Sequence, residues 1–334
     1  MTDIVVITNE DVRPITNGGR VRMAAIIDSL SARFDVRVIE PIGQRSSLAQ
    51  TFRLAPRRGT TPQHGPIEVG DARVLLYTHS YLEPVGPRRG LSVVVDFPNL
   101  EVDRQRSLAA EGALSRRVSA AVEAVKALMW EPRTARRATI AVAVTDADAD
   151  VLRRWGAKHV VVVPNAAAGA DLGPSPANGP VTFLANHAYA PNAAASERLV
   201  RDVWPLVLAQ RPDARLRVCG RGTDDEVDDI TPVFAEASML LTPVDEGGGT
   251  QLKVIEALAH GRVVVATTYS AESAPPGARD ACIATVDASD MADAIVRLLD
   301  DVDDRHRRER SLAGVIPTWT DVTTPLVDAI ATFT

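Results

Sequence analysis

A glycine run in the second half of the chain leads directly into a helical pattern that carries a lysine and a glutamate. Gly247, Gly248 and Gly249 let the backbone approach a ligand closely, and the helix that follows offers unpaired N–H groups and a positive dipole end to an anion. Lys253 and Glu256 are three residues apart, so they share one helix face. Lys253 could contact phosphate charge, and Glu256 could accept hydrogen bonds from sugar or ribose hydroxyls. The segment predicts a ligand site, with a plain glycine turn before an ordinary helix as the alternative.

The residues from Gly248 to Ala259, followed by a valine-rich strand and Thr267-Thr268, resemble the donor-binding segment of family 4 glycosyltransferases. These are GT-B enzymes that use nucleotide-sugar donors. The resemblance implies that Glu256 contacts the donor sugar or ribose. It also implies that a backbone segment lies against the diphosphate and the sugar of the donor, formed by Gly247, Gly248, Gly249, Thr250, Gln251, Leu252 and Lys253. Many members carry a second glutamate eight residues before the first, where this chain has Gly248. Glu246, displaced by two positions, is the candidate replacement.

A second glycine pair follows the first predicted strand. Gly18, Gly19 and Arg20 open the first helix, and two glycines there permit a tight turn and close ligand approach. Family 4 enzymes often carry Gly-Gly in this loop, lining the cleft near the acceptor and the donor phosphate. We therefore include Gly18, Gly19 and Arg20 in the predicted binding site, with a plain strand-to-helix loop as the alternative.

Two turns in the second half also carry candidate ligands. Gly220 and Arg221 follow the strand at 216–219, matching a glycine-containing turn beside the nucleotide in the family, and Arg221 could contact a phosphate in bidentate fashion. Asn186 follows the strand at 181–184, where many members place glycine and add Arg and Lys for the diphosphate. No Lys or Arg follows Asn186 before Arg198. Diphosphate charge would therefore fall on Lys253, Arg221, helix dipoles or a cation, and Pro191-Asn192 is interpreted as a helix start and cap.

Polar side chains at two strand ends of the first half are candidates to assist an acceptor hydroxyl. His79 follows the strand at 74–77, and Asp96 follows the strand at 92–95. Either side chain could take the proton of that hydroxyl, and either could be structural. The Asp-x-x-Asn-x-Glu arrangement from Asp96 to Glu101 resembles an acceptor-side segment of the family, in which histidine often holds the Pro98 position. The identity of a base therefore stays open between His79 and Asp96.

Composition excludes several classes of protein. A net charge of −6 argues against bulk nucleic-acid binding. The two cysteines lack metal-ligand spacing, and no His/Cys cluster, Walker motif, dinucleotide fingerprint or Gly-x-Ser-x-Gly elbow is present. No obligatory metal or cofactor is therefore expected. The start of the chain is too short and acidic for a signal peptide, and no apolar run reaches the ~18 residues of a membrane span. A cytoplasmic protein is the expectation, and high Ala, Arg and Val usage suggests a bacterial genome and specialised metabolism or envelope glycans.

Short Val/Ile-rich runs alternate with amphipathic helical segments along the chain, which predicts parallel α/β sheets. Leu114, Val118, Ala121, Val125 and Leu128 recur at helical spacing within a long helical stretch at 104–137. The stretch at 164–180, rich in Pro, Gly and small residues, marks an interdomain connection. We expect two facing, doubly wound Rossmann-like domains with ligands at the cleft between them, at 1–172 and 173–316. The resemblance implies that a terminal helix at 317–334 returns to the first domain.

The sequence predicts a GT-B glycosyltransferase that moves a hexose-type sugar from a nucleoside diphosphate sugar (UDP-, GDP- or dTDP-linked) to an acceptor hydroxyl. Retention of anomeric configuration is implied by the resemblance. Glu256, Lys253 and His79 are the candidate catalytic residues. The acceptor, whether a small molecule, a lipid-linked molecule or a glycan, is not readable from the sequence, and a homodimer is possible. The alternatives are a nucleotide-sugar 2-epimerase, a transferase using a nucleotide-activated cyclitol, and a catalytically inactive GT-B binding or partner subunit.

Overall fold

A computed structural model of the chain describes residues 3–15, 17–41, 68–82, 90–110, 114–246 and 250–334. The chain divides into two compact units. The first comprises Met1–Asn165 together with Trp319–Thr334, and the second comprises Ala166–Thr318. Each unit is built on its own sheet, and every strand pairing in both sheets is parallel.

The first unit contains a six-stranded sheet with the order β2-β1-β3-β4-β5-β6. Its strands are β1 (Ile4–Ile7), β2 (Val36–Ile39), β3 (Val74–Tyr77), β4 (Ser92–Phe97), β5 (Ile140–Ala143) and β6 (Val160–Val162). Its helices include α1 (Gly18–Ser31), α2 (Glu101–Ala110), α3 (Leu114–Arg137) and α4 (Asp146–Arg154). Strands β1, β3 and β5 are buried along their whole length because neighbouring strands and helices cover both of their faces.

The predicted helical stretch at 104–137 is two described helices, α2 and α3. Helical spacing is confirmed for α3, but the side chains that indicated it do not form the core face: Val118, Val125 and Leu128 are all exposed. The buried face carries Ala120, Ala124, Ala127 and Trp130 instead, together with Glu123 and Glu131. Alanines allow the backbone of α3 to pack closely against its neighbours, so the face with the smaller residues is the one that is buried.

The second unit contains a five-stranded sheet with the order β11-β10-β9-β7-β8. Its strands are β7 (Val181–Leu184), β8 (Leu216–Cys219), β9 (Met239–Thr242), β10 (Val264–Thr267) and β11 (Cys282–Thr285). The first helix, α5 (Ala190–Arg198), continues through a π-helical turn (Leu199–Val203) into α6 (Trp204–Gln210). The later helices are α7 (Ile230–Glu236), α8 (Leu252–Ala259), the short α9 (Thr268–Ala271), α10 (Ala288–Asp300) and α11 (Val302–Arg310).

Alternation along the strands of the second unit builds a core on each face of the sheet. Leu241 and Val265 pack with residues of α5 and α10, whereas Leu240 and Val264 pack with residues of α7 and α8. The predicted strands at 181–184 and 216–219 are confirmed with the same bounds.

The last helix of the chain, α12 (Trp319–Ala331), packs against α1 and β6 of the first unit. Thr323 shares a 2.8 Å hydrogen bond with Ser29 of α1, and Arg33 forms a 2.7 Å ion pair with Asp328. The buried side chains Val322, Leu326 and Ile330 supply the apolar contact.

Candidate functional site

In the second unit, β7 lies between β8 and β9 in the sheet. The chain passes from β7 to β8 on one side and then reaches β9 on the other side, so the carboxyl ends of β7 and β9 form a topological switch point. Open parallel sheets bind ligands at such a point. The segments that leave the two strands there are 185–189 and 243–251, and the second of them leads into α8.

Helix α8 begins without a side-chain cap. Gln251 occupies the N-cap position, but its side chain accepts no hydrogen bond from a backbone N–H of the first turn, while its own backbone N–H donates to Ser273 Oγ over 2.8 Å. Val254 N donates to the Gln251 backbone oxygen over 2.9 Å, but the N–H groups of Leu252 and Lys253 have no acceptor among the described residues, so they could bind an anion at the positive end of the helix dipole. The predicted glycines Gly247, Gly248 and Gly249 lie outside the described residues, and Thr250 and Leu252 are half-buried beside this helix start.

Lys253 is held at the switch point by a residue of α5 and by a residue of the segment 243–251. Its ammonium group donates to Asn192 Oδ1 over 2.7 Å and to Gln251 Oε1 over 3.2 Å, and it lies 5.8 Å from the centroid of the Phe183 ring. Burial lowers the pKa of Lys253 to about 8, against the opposing effect of the Glu256 carboxylate. Both hydrogen-bond acceptors are neutral amide oxygens, so a phosphate could replace them and gain a charge-assisted contact.

Glu256 lies one helical turn after Lys253 and is half-buried. Burial raises the pKa of its carboxyl group, and the nearby Lys253 opposes that rise. Within the described residues the carboxylate makes no hydrogen bond, which leaves its oxygens available to ligand hydroxyls. Lys253 and Glu256 thus present a cation and an acceptor on one face, as their spacing predicted.

Asn192 is a site residue that the sequence interpretation missed. Pro191 lies in the first turn of α5, as predicted, but the side chain of Asn192 does not cap the helix. Its Nδ2 donates to the backbone oxygen of Asn186 over 2.8 Å, and its Oδ1 accepts from Lys253. Asn192 therefore couples the turn after β7 to α8. Because Lys253 is 61 residues away along the chain, no local pattern signals the contact.

The turns after β7 and β8 are joined by backbone hydrogen bonds. His187 N donates to the backbone oxygen of Arg221 over 2.7 Å, and Ala185 N donates to that of Cys219 over 3.1 Å. The His187 ring packs edge-on against Phe183 at 5.4 Å, and its Nε2 is buried without a hydrogen-bond partner. Burial lowers the pKa of His187, which keeps the imidazole neutral near Lys253.

Gly220 is required for this junction. Its φ is +112°, and a Cβ at this position would lie 2.2 Å from the backbone oxygen of Ala185. The next residue, Arg221, is exposed, and its guanidinium makes no hydrogen bond or ion pair within the part of the chain that the structure describes. Arg221 is thus a free cation on the turn after β8, as the phosphate-binding prediction requires.

The segment after β9 is anchored by a residue that the sequence interpretation had not assigned to the site. Arg198, at the end of α5, donates to the Pro243 backbone oxygen over 2.7 Å and forms a 2.7 Å ion pair with Asp245. This fixes the approach to Glu246, which is half-buried. Whether Glu246 replaces the glutamate absent at position 248 stays a prediction.

In the first unit, the loop after β1 has a polar network of its own. Asn17 caps α1 by accepting from Arg20 N over 2.9 Å, so Gly18 and Gly19 form the first turn of the helix. The Arg20 guanidinium is committed to Glu10 Oε2 at 2.8 Å and to the Pro14 backbone oxygen at 2.8 Å. Arg20 is therefore paired inside the loop, and its predicted contact with a ligand would require sharing that guanidinium with Glu10.

Asp96 has a structural partner. Its two carboxylate oxygens accept from Arg22 over 2.8 and 2.9 Å in a fully buried bidentate pair, and Arg22 also donates to the Val163 backbone oxygen over 2.7 Å. This pair joins α1 to β4 and to the end of β6. An ion-paired carboxylate with both oxygens occupied is poorly suited to accept a proton from a hydroxyl, which favours the structural interpretation of Asp96.

His79 follows β3 and stacks at 5.0 Å on the Tyr81 ring. Burial, followed by the charges of Arg104 and Arg22, lowers the pKa of His79 to about 3. The imidazole is therefore neutral at physiological pH and can accept a hydrogen bond from a hydroxyl. A general base acts best with a pKa near the working pH, so His79 is suited to orienting a hydroxyl more than to deprotonating it.

The side chain of Glu131, a residue of α3, caps the start of α2. Its carboxylate accepts from Ser80 Oγ over 3.2 Å and from the first backbone N–H groups of α2, at Glu101 over 3.0 Å and Val102 over 3.1 Å. Burial raises the pKa of Glu131 to about 8, and the three donors oppose that rise. Because two backbone N–H groups at the start of α2 donate to it, the Glu131 carboxyl group has a structural role as the cap of that helix.

None of the described helices is both long and apolar enough to cross a membrane. Within the same residues, no group of three or more His, Cys, Asp or Glu side chains is arranged to hold a metal ion.

Comparison with known proteins identifies the second unit. Residues 180–301 match the family model described as glycosyl transferases group 1, a range that contains β7 to β11, Asn192, Lys253 and Glu256. The match lies wholly within the second unit and supports a glycosyltransferase. The match covers less than half of the chain, and no curated protein matches the sequence.

Solved structures show that the glycosyltransferase likeness in fold extends over the whole chain. Sucrose-phosphate synthase from Thermosynechococcus elongatus is similar with a TM-score of 0.67 and 13% identity, covering 99% of each chain. The trehalose-6-phosphate synthase OtsA gives 0.65 and 11%, covering 100% of each chain. HepE of Anabaena, solved in complex with UDP and glucose, gives 0.61 and 11%, covering 98% of this chain and 99% of HepE. The fold is GT-B with Rossmann-like units, as predicted, and the comparisons support glycosyl transfer.

Proposed function

We propose that this glycosyltransferase moves a hexose-type sugar from a nucleoside diphosphate sugar to an acceptor hydroxyl, and that the donor binds at the switch point of the second unit. One observation carries the proposal. Lys253, with neutral partners only, and Glu256, with no partner in the described residues, lie on one face of α8 beside its uncapped start. A diphosphate needs the cation and the N–H groups, and sugar or ribose hydroxyls need the carboxylate.

The same groups suit the chemical step. The bond between the anomeric carbon and the diphosphate oxygen breaks as the acceptor oxygen bonds to that carbon, and the proton of the acceptor hydroxyl passes to the departing diphosphate. Negative charge then grows on the leaving diphosphate. Lys253 and the N–H groups at the start of α8 would stabilise that charge, and preorganised donors of this kind are among the largest contributors to catalysis. Retention of anomeric configuration and membership of family 4 are part of the proposal, supported by the sequence resemblance.

Arg221 supplies a second cation. Its guanidinium is exposed on the turn after β8, and that turn is hydrogen-bonded to the turn after β7. Two cations that approach from different turns match the two phosphates of a nucleotide sugar. Asn192 would then be released from Lys253 on binding and become available to a donor oxygen.

Thermal melting with UDP-, GDP-, dTDP- and ADP-sugars tests the proposal and names the donor base. UDP-glucose is the first probe because HepE was solved with UDP and glucose. A ligand at a hundred times its Kd adds about 2.7 kcal/mol of stability, which gives a clear shift in Tm. The expected result is a shift with one nucleotide that is at least halved in Lys253→Met and kept in Lys158→Met, which changes an exposed lysine of the first unit.

Turnover separates the enzyme from a binding subunit. Release of nucleoside diphosphate from the selected donor, with and without candidate acceptors, should fall in Glu256→Gln while donor binding persists. A donor that binds but is not consumed under any acceptor condition would identify a catalytically inactive subunit. Conversion of the donor sugar into its 2-epimer, without release of the nucleotide, would identify an epimerase.

A further inference from the structure

Helix α3 presents a row of large apolar side chains to solvent. Among the described residues, Val118, Val122, Val125 and Met129 are 56%, 49%, 59% and 59% exposed, and Leu128 is 43% exposed. At 3.6 residues per turn these five side chains cover an arc of about 120° along roughly 17 Å of the helix. We call these five residues the α3 strip.

The strip is not the core face of α3. Ala120, Ala124, Ala127 and Trp130 are buried on the opposite side, where Ala127 and Trp130 cluster with Val102 of α2. A helix on the surface of a soluble protein is ordinarily apolar on the buried side and polar on the other. A second, exposed apolar face indicates a surface that contacts another protein or a membrane.

The charges around the strip have one sign. The sequence of α3 contains six basic residues and two acidic ones, and both acids, Glu123 and Glu131, are at most 2% exposed. Arg117, Arg133 and Arg136 are exposed. On a helical projection Arg117 borders the strip beside Leu128, and Arg133 borders the other edge. The solvent side of α3 is thus apolar and cationic, in a chain whose net charge is −6.

We propose that the α3 strip docks on the surface of a bilayer that contains anionic lipids. An apolar face bordered by basic side chains is the pattern of a helix that lies in a membrane interface, with arginine stems along the apolar surface and guanidinium groups among the headgroups. Charge complementarity selects this occupant over a second copy of the chain. Two α3 helices packed together would bring basic borders against each other, since both acids of α3 are turned inward. The proposal does not depend on the donor site.

Flotation of the full-length protein with vesicles tests the proposal. The protein should float with phosphatidylcholine vesicles that contain phosphatidylglycerol, should not float with pure phosphatidylcholine, and should dissociate as salt is raised. The double substitution Val125→Ser/Met129→Ser should lower the partition coefficient at least tenfold. Arg133→Gln/Arg136→Gln should lower it at least fivefold, because each basic residue near an anionic surface contributes roughly that factor.

The matched control is Val200→Ser/Leu206→Ser in the second unit, where both residues are also exposed, at 53% and 40%. This variant should float as the unchanged protein does. Equal binding to both vesicle types, or no flotation of a folded protein at low salt, would overturn the proposal. A dimer in sedimentation analysis that dissociates on Val125→Ser/Met129→Ser would assign the strip to a second copy and overturn it as well. All variants change exposed side chains, so an unchanged Tm verifies that each is folded.

Discussion

The lowered pKa of Lys253 predicts a pH dependence of donor binding in a range where an ordinary lysine would show none. With a pKa of about 8 in the free protein, the protonated fraction falls roughly tenfold between pH 7 and pH 9. Only the ammonium form can contact a diphosphate with charge assistance, and bound diphosphate should return the pKa toward its ordinary value. The apparent Kd for the selected nucleotide sugar should therefore rise about tenfold over those two pH units. An exposed lysine would give almost no change.

Isothermal titration at pH 7, 8 and 9 measures this change directly. A nucleotide sugar is the correct ligand because its diphosphate does not titrate in that range, whereas a free nucleoside diphosphate titrates near neutral pH. Lys253→Arg keeps a charge at every pH tested and should flatten the profile. Lys253→Met should bind about 10- to 150-fold more weakly at pH 7, the cost of one charged hydrogen bond of 1.5 to 3 kcal/mol. A flat profile for the unchanged protein, or the same slope in Lys253→Arg, would refute the assignment of Lys253 to the diphosphate.

Three further substitutions test the site and its scaffold. Glu256→Gln keeps the shape of the side chain but removes its charge, so kcat/KM from initial rates should fall about 10- to 100-fold. Because the carboxylate has no hydrogen-bond partner in the described residues, the Tm from melting curves should hardly change. Gly220→Ala places a Cβ 2.2 Å from a backbone oxygen and should lower the free energy of unfolding, measured in urea, by more than about 2 kcal/mol. Gly173→Ala, at φ +65° with open space, should cost only about 1 kcal/mol, and equal losses would contradict the steric argument. Asp96→Ala should lower the free energy of unfolding by about 3 to 5 kcal/mol, because it leaves the Arg22 charge buried without its ion-pair partner. Asp28→Ala, which removes the exposed ion pair with Arg13, should lower it by under about 1 kcal/mol.

The features that could be predicted from the sequence depend on residues that lie close together along the chain. The predicted strand at 74–77 is confirmed and is buried on both faces, so its apolar run is recognisable without knowledge of its neighbours. The pairing of Lys253 with Glu256 on one face follows from helical spacing alone and is confirmed. The helical spacing of α3 is likewise a local signal, and it is confirmed.

What the sequence did not locate depends on contacts between distant segments. Asn192 and Lys253 are brought together by the sheet order, and Asp96 meets Arg22 from 74 residues away. Nothing adjacent to Asp96 indicated that its carboxylate would be occupied. The orientation of α3 failed for another reason. Valine and leucine side chains at helical spacing predict one apolar helix face, but Ala120, Ala124 and Ala127 form a second one. In the folded protein the alanine face is buried and the valine face is exposed.

Hydrogen–deuterium exchange with and without the selected nucleotide sugar tests the central claim most directly, because it reports where the donor binds independently of turnover. The account predicts that bound donor slows exchange in peptides covering the first turn of α8 and the turns at 185–189 and 220–222, and that Lys253→Met removes this protection at the same donor concentration. Protection confined to other segments, or unchanged by Lys253→Met, would contradict a donor site at this switch point.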